Sequence, residues 1–416
     1  MNRITRVGAV LTATAVVAAL SACGSSGDGS GEGSGDASGT ITVGYAGGGA
    51  VDTWMSTIIK HAQKELPDVT IKTAVYPTYD DQLNQLPTQF AAKTAPDIIL
   101  WDNSAPIAQY ATEGAIQPLD DLIEGTSVDL SLYPKALVDG WNVEDSLYAV
   151  PAYLQNSAYA YNTDVLAEAG ITDLPATLDD LAVDARTVKE ATGKPGIVLL
   201  DNLFHLTQYM LAFGGGYDFG KTIDSKENIA GLDYLLGLFK DGAATTAQQL
   251  GATWDGEALS GGKAAASDGG PWYIGFMSTT APDVNYQLTP IPGVDADSSI
   301  VATYGGGFSL YAGSKNAHTA AKVIALLTDT TSQEAVLSTN LGFVPAMTKY
   351  ADQYREATPE YAAFTTDVLD AGKSLDYPIE TTEFGNDLVT GFQQLVADGS
   401  TSSEALLTDL QDKYGE

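Results

Sequence analysis

Between residues 41 and 101 the hydrophobic period switches back and forth between about two and about 3.6 residues, which leaves few folds open. Ile41, Val43 and Tyr45 alternate as in a strand. Met55, Ile58, Ile59, Ala62 and Leu66 then recur at helical spacing, with Asp52 as the expected N-cap. Val69, Ile71, Thr73 and Val75 alternate again, Leu83, Leu86 and Phe90 form a second helical stripe, and Ile98-Ile99-Leu100-Trp101 is a continuous apolar run of the buried-strand type. Strands joined through helices pair in parallel, so this β-α-β-α-β order predicts a largely parallel, doubly wound sheet. Pro87 lies inside the second stripe and predicts a kink or break there.

A second α/β region follows. Thr177 to Asp180 reads as a capping box opening a helix that Gly193 closes, and Ile197 to Leu200 reads as a strand. Ser225 to Lys240 carries a helical stripe, and so does the segment around Ala320, Val323, Ile324 and Leu327 after the strand-like Phe308 to Tyr311. Two further helices end the chain, the last expected to open at a capping box from Thr401 to Glu404. The coarse expectation is two α/β units with a helical tail.

The composition closes off other classes. Twenty Lys and Arg face 53 Asp and Glu among 416 residues, a formal net charge of −33. Such a surface repels phosphate backbones and anionic lipid headgroups, so no nucleic-acid partner is expected. One cysteine allows neither an internal disulfide nor a cysteine-rich zinc site.

That cysteine ends a leader. Arg3 and Arg6 precede an apolar stretch from Val7 to Leu20, which is too short to cross a ~30 Å hydrocarbon core. The stretch ends Leu20-Ser21-Ala22-Cys23, which resembles a bacterial lipobox. The resemblance implies removal of residues 1–22 as a lipoprotein signal peptide and lipidation of Cys23, so that membrane contact is through a lipid anchor only. Gly24 to Gly39, GSSGDGSGEGSGDASG, cannot bury a face. With Cys23 it forms a tether (23–39) reaching on the order of 20–25 Å.

Catalytic signatures are sparse. His61, His205 and His318 are scattered and lack metal-ligand spacing, which favours surface or packing roles; neither a metal nor a cofactor is expected. Gly215 to Thr222, GGYDFGKT, formally matches a phosphate loop. It follows a helical segment instead of a strand, the next helix starts near Ser225, and Asp218 would put a negative charge in the cradle; a Gly-rich turn is expected.

Five segments together resemble the extracellular solute-binding proteins of ABC importers, in their carbohydrate-binding, maltose-binding-protein-like group. They are Ala95-Pro96-Asp97-Ile98-Ile99 with Tyr110, Gly114 and Pro118-Leu119-Asp120; Leu147-Tyr148-Ala149-Val150-Pro151 with Tyr161-Asn162; Gly269-Gly270-Pro271-Trp272; Pro290-Ile291-Pro292-Gly293 with Gly305-Gly306-Gly307-Phe308; and Gly342-Phe343-Val344-Pro345-Ala346. The resemblance implies an α/β, two-lobed periplasmic-binding-protein-like fold: mixed sheets flanked by helices, hinge strands, and a ligand cleft between the lobes. It assigns residues 40–150 with 305–345 to the N-terminal lobe and 151–304 with 346–416 to the C-terminal lobe. Crossings are expected near Pro151, near Thr303 and after Pro345.

A sugar presents C–H-rich faces and a rim of hydroxyls, so its site needs aromatic plates beside paired donors and acceptors. The resemblance makes Trp272 a stacking plate; a core Trp is the alternative. Trp101, Asp102 and Asn103 stand at the carboxyl end of a parallel strand, where open α/β sheets bind ligands: Asp102 and Asn103 for hydroxyls, Trp101 as plate or core. Tyr45 with Gly47-Gly48-Gly49 shares that end of the sheet, and Tyr79 opens the next helix. Tyr153, Gln155 and Asn156 continue from the hinge, while Gly305 and Gly306 suit a hinge or a close ligand approach. Tyr377 to Phe384 resembles a late family loop that often carries a Trp; here Tyr377, Glu383 or Phe384 must serve.

The sequence thus points to a non-enzymatic, monomeric receptor that holds an oligosaccharide and delivers it to ABC permease transmembrane subunits, on the outer face of a Gram-positive type cell envelope. A binder of another solute, peptide or polyamine, and an exported carboxylate-dependent glycan hydrolase are the alternatives.

Overall fold

The computed structural model describes residues 37–296, 298, 302–339, 343–359, 372–397 and 401–415. The leader, Cys23 and the tether as far as residue 36 lie outside the described residues.

Two five-to-six-stranded sheets carry the fold. In the first, Gly39–Ala46 lies between Val69–Tyr76 and Ile98–Trp101, all parallel, and Gly307–Tyr311 returns antiparallel beside Ile98–Trp101. The far side of Gly307–Tyr311 pairs with Ala149–Pro151 and Ile116–Gln117. In the second sheet Ala244–Thr246, Ile197–Leu199 and Ala266–Gly269 are parallel, followed by antiparallel Ala158–Asn162 and Tyr286–Thr289. Both sheets are therefore mixed: Gly307–Tyr311, returning from late in the chain, runs antiparallel to its neighbours in the first, and Ala158–Asn162 runs antiparallel to both of its neighbours in the second.

A small third sheet joins them. Tyr153–Asn156 pairs antiparallel with Thr303–Tyr304 on one side and Val344–Pro345 on the other. The chain runs from Ala149–Pro151 in the first sheet through Tyr153–Asn156 to Ala158–Asn162 in the second, and returns through Thr303–Tyr304 to Gly307–Tyr311. The joints are pinned: Ala152 N–H donates to the Gly306 carbonyl at 2.8 Å, and Ala302 N–H to Ser157 Oγ at 2.8 Å.

Each large sheet has its own core. Ile41, Val43, Trp54, Ile58, Leu86, Ile98, Phe308 and Ile324 fill the first. Leu181, Val188, Ile197, Met210, Leu235 and the terminal helices through Phe384, Phe392, Leu395 and Leu407 fill the second. The helical stripes read from sequence are the faces that enter these cores, each large apolar side chain stabilising by about 1.5–3 kcal/mol.

Local details correct the sequence reading at four places. The first helix, Gly49–Glu65, starts before Asp52 and is preceded by Gly48; Asp52 sits in its first turn, where its carboxylate accepts from Gly48 N–H at 3.2 Å. The helix Tyr79–Ala92 runs unbroken through Pro87, whose exposed position lets water reach the carbonyl that loses its partner. Ser402, not Thr401, caps the helix Ser403–Tyr414, accepting from Ala405 N–H. The first strand begins at Gly39, one residue inside the expected tether. The capping box from Thr177 to Asp180 and the left-handed Gly193 at the end of Leu178–Thr192 are as expected.

Candidate functional site

The carboxyl end of Ile98–Trp101 delivers Asp102 beside the small three-stranded sheet. Asp102 Oδ1 accepts from Tyr153 Oη at 3.1 Å. Burial raises the Asp102 carboxyl to about 6, against which the tyrosine hydrogen bond works. Tyr79, the first residue of a helix capped by Thr78, points its hydroxyl toward the backbone of Asp102 and Asn103. Tyr153 stacks on Phe343 with ring centroids 4.5 Å apart and meets Trp54 edge-on at 5.6 Å.

A second group comes from the other sheet. Trp272, half-buried, opens the helix Trp272–Thr280 after the strand Ala266–Gly269. A Cβ on Gly270 would lie 2.3 Å from the Trp272 ring, so glycine is what lets the indole fold back over its own turn. Phe204 stands edge-on to Trp272 at 5.9 Å and to Tyr304 at 5.4 Å. Tyr304 lies on the strand paired with Tyr153–Asn156, opposite Gln155. Aromatic rings thus run from Trp272 through Phe204 and Tyr304 to Tyr153 and Phe343, alongside one carboxyl at Asp102 and another at Asp268.

Asp268 belongs to a buried charged network beneath this belt. His205 is 4% exposed and Asp268 0%. His205 Nδ1 donates to Asp268 Oδ2 at 2.7 Å, and its Nε2 lies 3.8 Å from Asp255 Oδ1. Asp255 also accepts from Ser267 Oγ at 3.0 Å and from Tyr273 Oη. Burial alone would lower the histidine, but Asp268 and Asp255 outweigh it and hold the imidazolium up to about 9.

Other expected site residues fall elsewhere. Trp101 is 0% exposed and stacks on Tyr110 at 5.3 Å, which makes it core: the preceding strand is covered on both faces. Gln155 and Asn156 are buried within the small sheet, opposite Tyr304 and Thr303. At Gly305 an added Cβ would meet the Tyr153 carbonyl at 2.0 Å, and at Gly306 the Tyr153 ring at 2.3 Å; the space these glycines leave is filled by protein. Tyr377 is buried against Tyr217, 5.7 Å away, and Phe384 is fully buried between Tyr217 and Tyr414. Glu383 is exposed in the first turn of Thr381–Ala397, where the helix dipole favours a solvated carboxylate. Tyr45 is buried with its hydroxyl beside Asp52. Asn103 spends its side-chain oxygen on Ala105 N–H at 3.0 Å, and Gly47 N–H is taken by the Tyr76 carbonyl at 2.8 Å.

The phosphate-loop look-alike is a turn between the helices Leu203–Ala212 and Lys226–Lys240. Asn228 occupies its interior, accepting from Gly216 N–H and donating to the Gly216 and Thr222 carbonyls, all at 2.9 Å. A helix, not a strand, precedes it, and the Gly215, Gly216 and Gly220 amides are already bonded within the protein.

Phe204, His205, Asp268 and Tyr304 were not picked out from sequence. Asp268 stands one residue before the Gly-Gly-Pro-Trp segment, the only local signal for it; His205 is one of three scattered histidines and gave none.

The bacterial extracellular solute-binding protein family matches residues 47–334. A galactooligosaccharide-binding protein of Bacillus subtilis (strain 168) is 26% identical over 275 residues, which is 62% of this chain and 62% of that protein's length. The diacetylchitobiose binding protein DasA of Streptomyces coelicolor is 28% identical over 310 residues, 69% of this chain and 68% of its own. Among solved structures, the GacH receptor of Streptomyces glaucescens, determined unliganded and with acarbose, superposes with a TM-score of 0.74 at 22% identity, covering 91% of this chain and 97% of that one. The ABC substrate-binding protein Lmo0181 from Listeria monocytogenes, in complex with cycloalternan, gives 0.77 at 20% identity, covering 90% and 97%. These likenesses establish the two-lobed α/β fold. Family match, fold and the ring-lined junction between the two sheets agree: the chain belongs to the bacterial extracellular solute-binding proteins.

Proposed function

We propose that this protein captures a neutral oligosaccharide between its lobes and hands it unaltered to the membrane subunits of an ABC importer. The observation that carries the reading is the belt of rings from Trp272 through Phe204 and Tyr304 to Tyr153, with the carboxyls of Asp102 and Asp268 beside it. Rings stack on the C–H faces of a sugar while carboxylates accept from its hydroxyls. The oligosaccharide ligands for which the relatives are named support the same solute class. The lobes in this reading are residues 40–150 with 305–345 and residues 151–304 with 346–416, hinged at the small sheet. Lipidation of Cys23 holds the monomer at the outer face of the membrane, where the permease meets it.

The test is isothermal titration with a panel of galacto-, arabino-, malto- and chito-oligosaccharides, followed by chromatography of the sugar. Binding of at least one with the sugar recovered intact is expected. Trp272→Ala should weaken that binding by ~1–3 kcal/mol. Released fragments would replace this reading with a hydrolase, and wild-type affinity in the variant would remove Trp272 from the site.

A further inference from the structure

One hydrogen bond joins the loop that leaves the first sheet to a helix of the second core. Thr381 Oγ1 lies 2.9 Å from the Ala105 carbonyl, 276 positions away in the chain. Ala105 follows Asp102 in the loop after Ile98–Trp101, and its N–H donates to Asn103 Oδ1 at 3.0 Å, which fixes the turn. Thr381 opens the helix Thr381–Ala397, whose Phe384, Leu388 and Phe392 sit in the second core. Ala105 itself packs against that core, and Thr381 is buried. The same two regions approach again next door. A Cβ on Gly140, just after the helix Lys135–Asp139, would lie 3.2 Å from Ser104 Oγ and 3.7 Å from Ser374 Cβ. One turn beyond Thr381, a Cβ on Gly385 would lie 3.2 Å from Leu203, the chain neighbour of Phe204 in the ring belt. The bond therefore stands where the Asp102 loop meets the Phe204 side of the junction.

The hydroxyl also has a second acceptor. The Pro378 carbonyl, in its own loop, lies 2.7 Å from the same Oγ1. A threonine hydroxyl carries one proton, so the two carbonyls compete for it. If Ala105 moves away, the proton turns to Pro378 and no buried hydroxyl is orphaned. Such a contact can break and re-form at low cost.

We propose that Thr381 is a latch between the lobes: its hydroxyl donates to the Ala105 carbonyl when they are shut and returns to the Pro378 carbonyl when they part. Both partners belong to the protein, so the latch draws the unliganded molecule toward the shut form. A solute that needs shut lobes then binds with an apparent Kd equal to its intrinsic Kd divided by the shut fraction, so a pair outside the ring belt tunes affinity. This rests on the two-lobed reading, with residues 105 and 381 on opposite lobes, and holds whatever the solute.

The experiment is small-angle scattering of the full chain, without and with the tightest-binding sugar of the panel, together with calorimetric titration of that sugar. It compares wild type, Thr381→Val, Thr381→Ser and Ala105→Leu. Thr381→Val keeps the shape and removes the hydroxyl. Ala105→Leu puts bulk between Ala105 and the second core but leaves the Thr381–Pro378 contact alone. Both should show a larger unliganded radius of gyration than wild type, contract on sugar, and bind about two- to tenfold more weakly. Thr381→Ser keeps the donor and should match wild type in both readouts. Should Thr381→Val not fold, Thr381→Ala, which removes the same hydroxyl, takes its place. Wild-type unliganded scattering in both variants overturns the latch, and sugar that still binds them leaves the saccharide reading standing. Expansion in only one of the two overturns the latch as well, because the shared bond is then not the cause. A wild-type protein silent toward every sugar removes the saccharide reading, while unliganded scattering still decides the latch.

Discussion

His205, buried, and Asp102, half-buried, are pushed in the same direction by opposite causes, and each makes a different claim about pH. Two carboxylates raise His205 to about 9 despite its burial. A histidine raised above its unfolded value contributes stability that is complete below the unfolded value and lost as pH rises through the folded one. Urea melts of the wild-type protein should therefore show stability draining away between about pH 6.5 and about pH 9. His205→Leu strands Asp255 and Asp268 in the interior and should cost ~3–5 kcal/mol at neutral pH. An unchanged urea midpoint in that variant would mean that the network carries no charge. Burial raises Asp102 from 3.8 to about 6. Here the folded state holds the proton more tightly, so the contribution is complete below about 3.8 and lost as pH rises through about 6. Asp102→Asn keeps an acceptor for Tyr153 and should be ~1–3 kcal/mol more stable than wild type near pH 8, the difference vanishing near pH 4. Equal melts at both pH values would rule this out. Neither group's state was legible in the sequence: Asp102 stands out by its place at the end of a strand, but its burial is a property of the folded chain, and Tyr153, which hydrogen-bonds it, lies 51 residues further on.

At the scale of elements, local chemistry was read well and long-range pairing was not. The capping box of Leu178–Thr192 needs only residues within one turn, and so it was visible; the helix running through Pro87 depends on which face meets water, which the stripe of Leu83, Leu86 and Phe90 did not decide. The two glycines before Gly307–Tyr311 show the difference most clearly. Sequence suggested room for a ligand at Gly305 and Gly306, but the room is taken by Tyr153, a residue about 150 positions earlier in the chain. The third sheet is thus packed backbone to backbone, with Gly305 under the Tyr153 carbonyl. Gly305→Ala forces that contact apart and should lower stability by ~1–3 kcal/mol in urea melts. Wild-type stability in the variant would show that Thr303–Tyr304 and Tyr153–Asn156 part without cost.

Over the whole molecule, the switching hydrophobic period of residues 41–101 made the first α/β unit legible, but the return of Gly307–Tyr311 to that same sheet leaves no periodic trace, since pairing partners far apart in sequence share no local pattern. Only the family resemblance anticipated that the chain doubles back. Net charge is also a whole-molecule property, and here it separates the remaining ligand classes. At −33 the protein attracts any polyamine through its entire field, and such binding falls steeply once salt screens charges beyond a Debye length of about 10 Å at 0.1 M. A neutral oligosaccharide held by rings and hydroxyl contacts gains nothing from that field. Its Kd should therefore change less than about twofold between roughly 50 and roughly 500 mM sodium chloride, whereas a cationic ligand should weaken by well over tenfold. Titrating the tightest-binding sugar of the panel and spermidine at both salt concentrations makes the comparison. A salt-insensitive sugar beside a salt-sensitive polyamine assigns the cleft to the sugar and the polyamine to the surface; a sugar whose affinity collapses with salt would mean that charge, not the ring belt, does the binding.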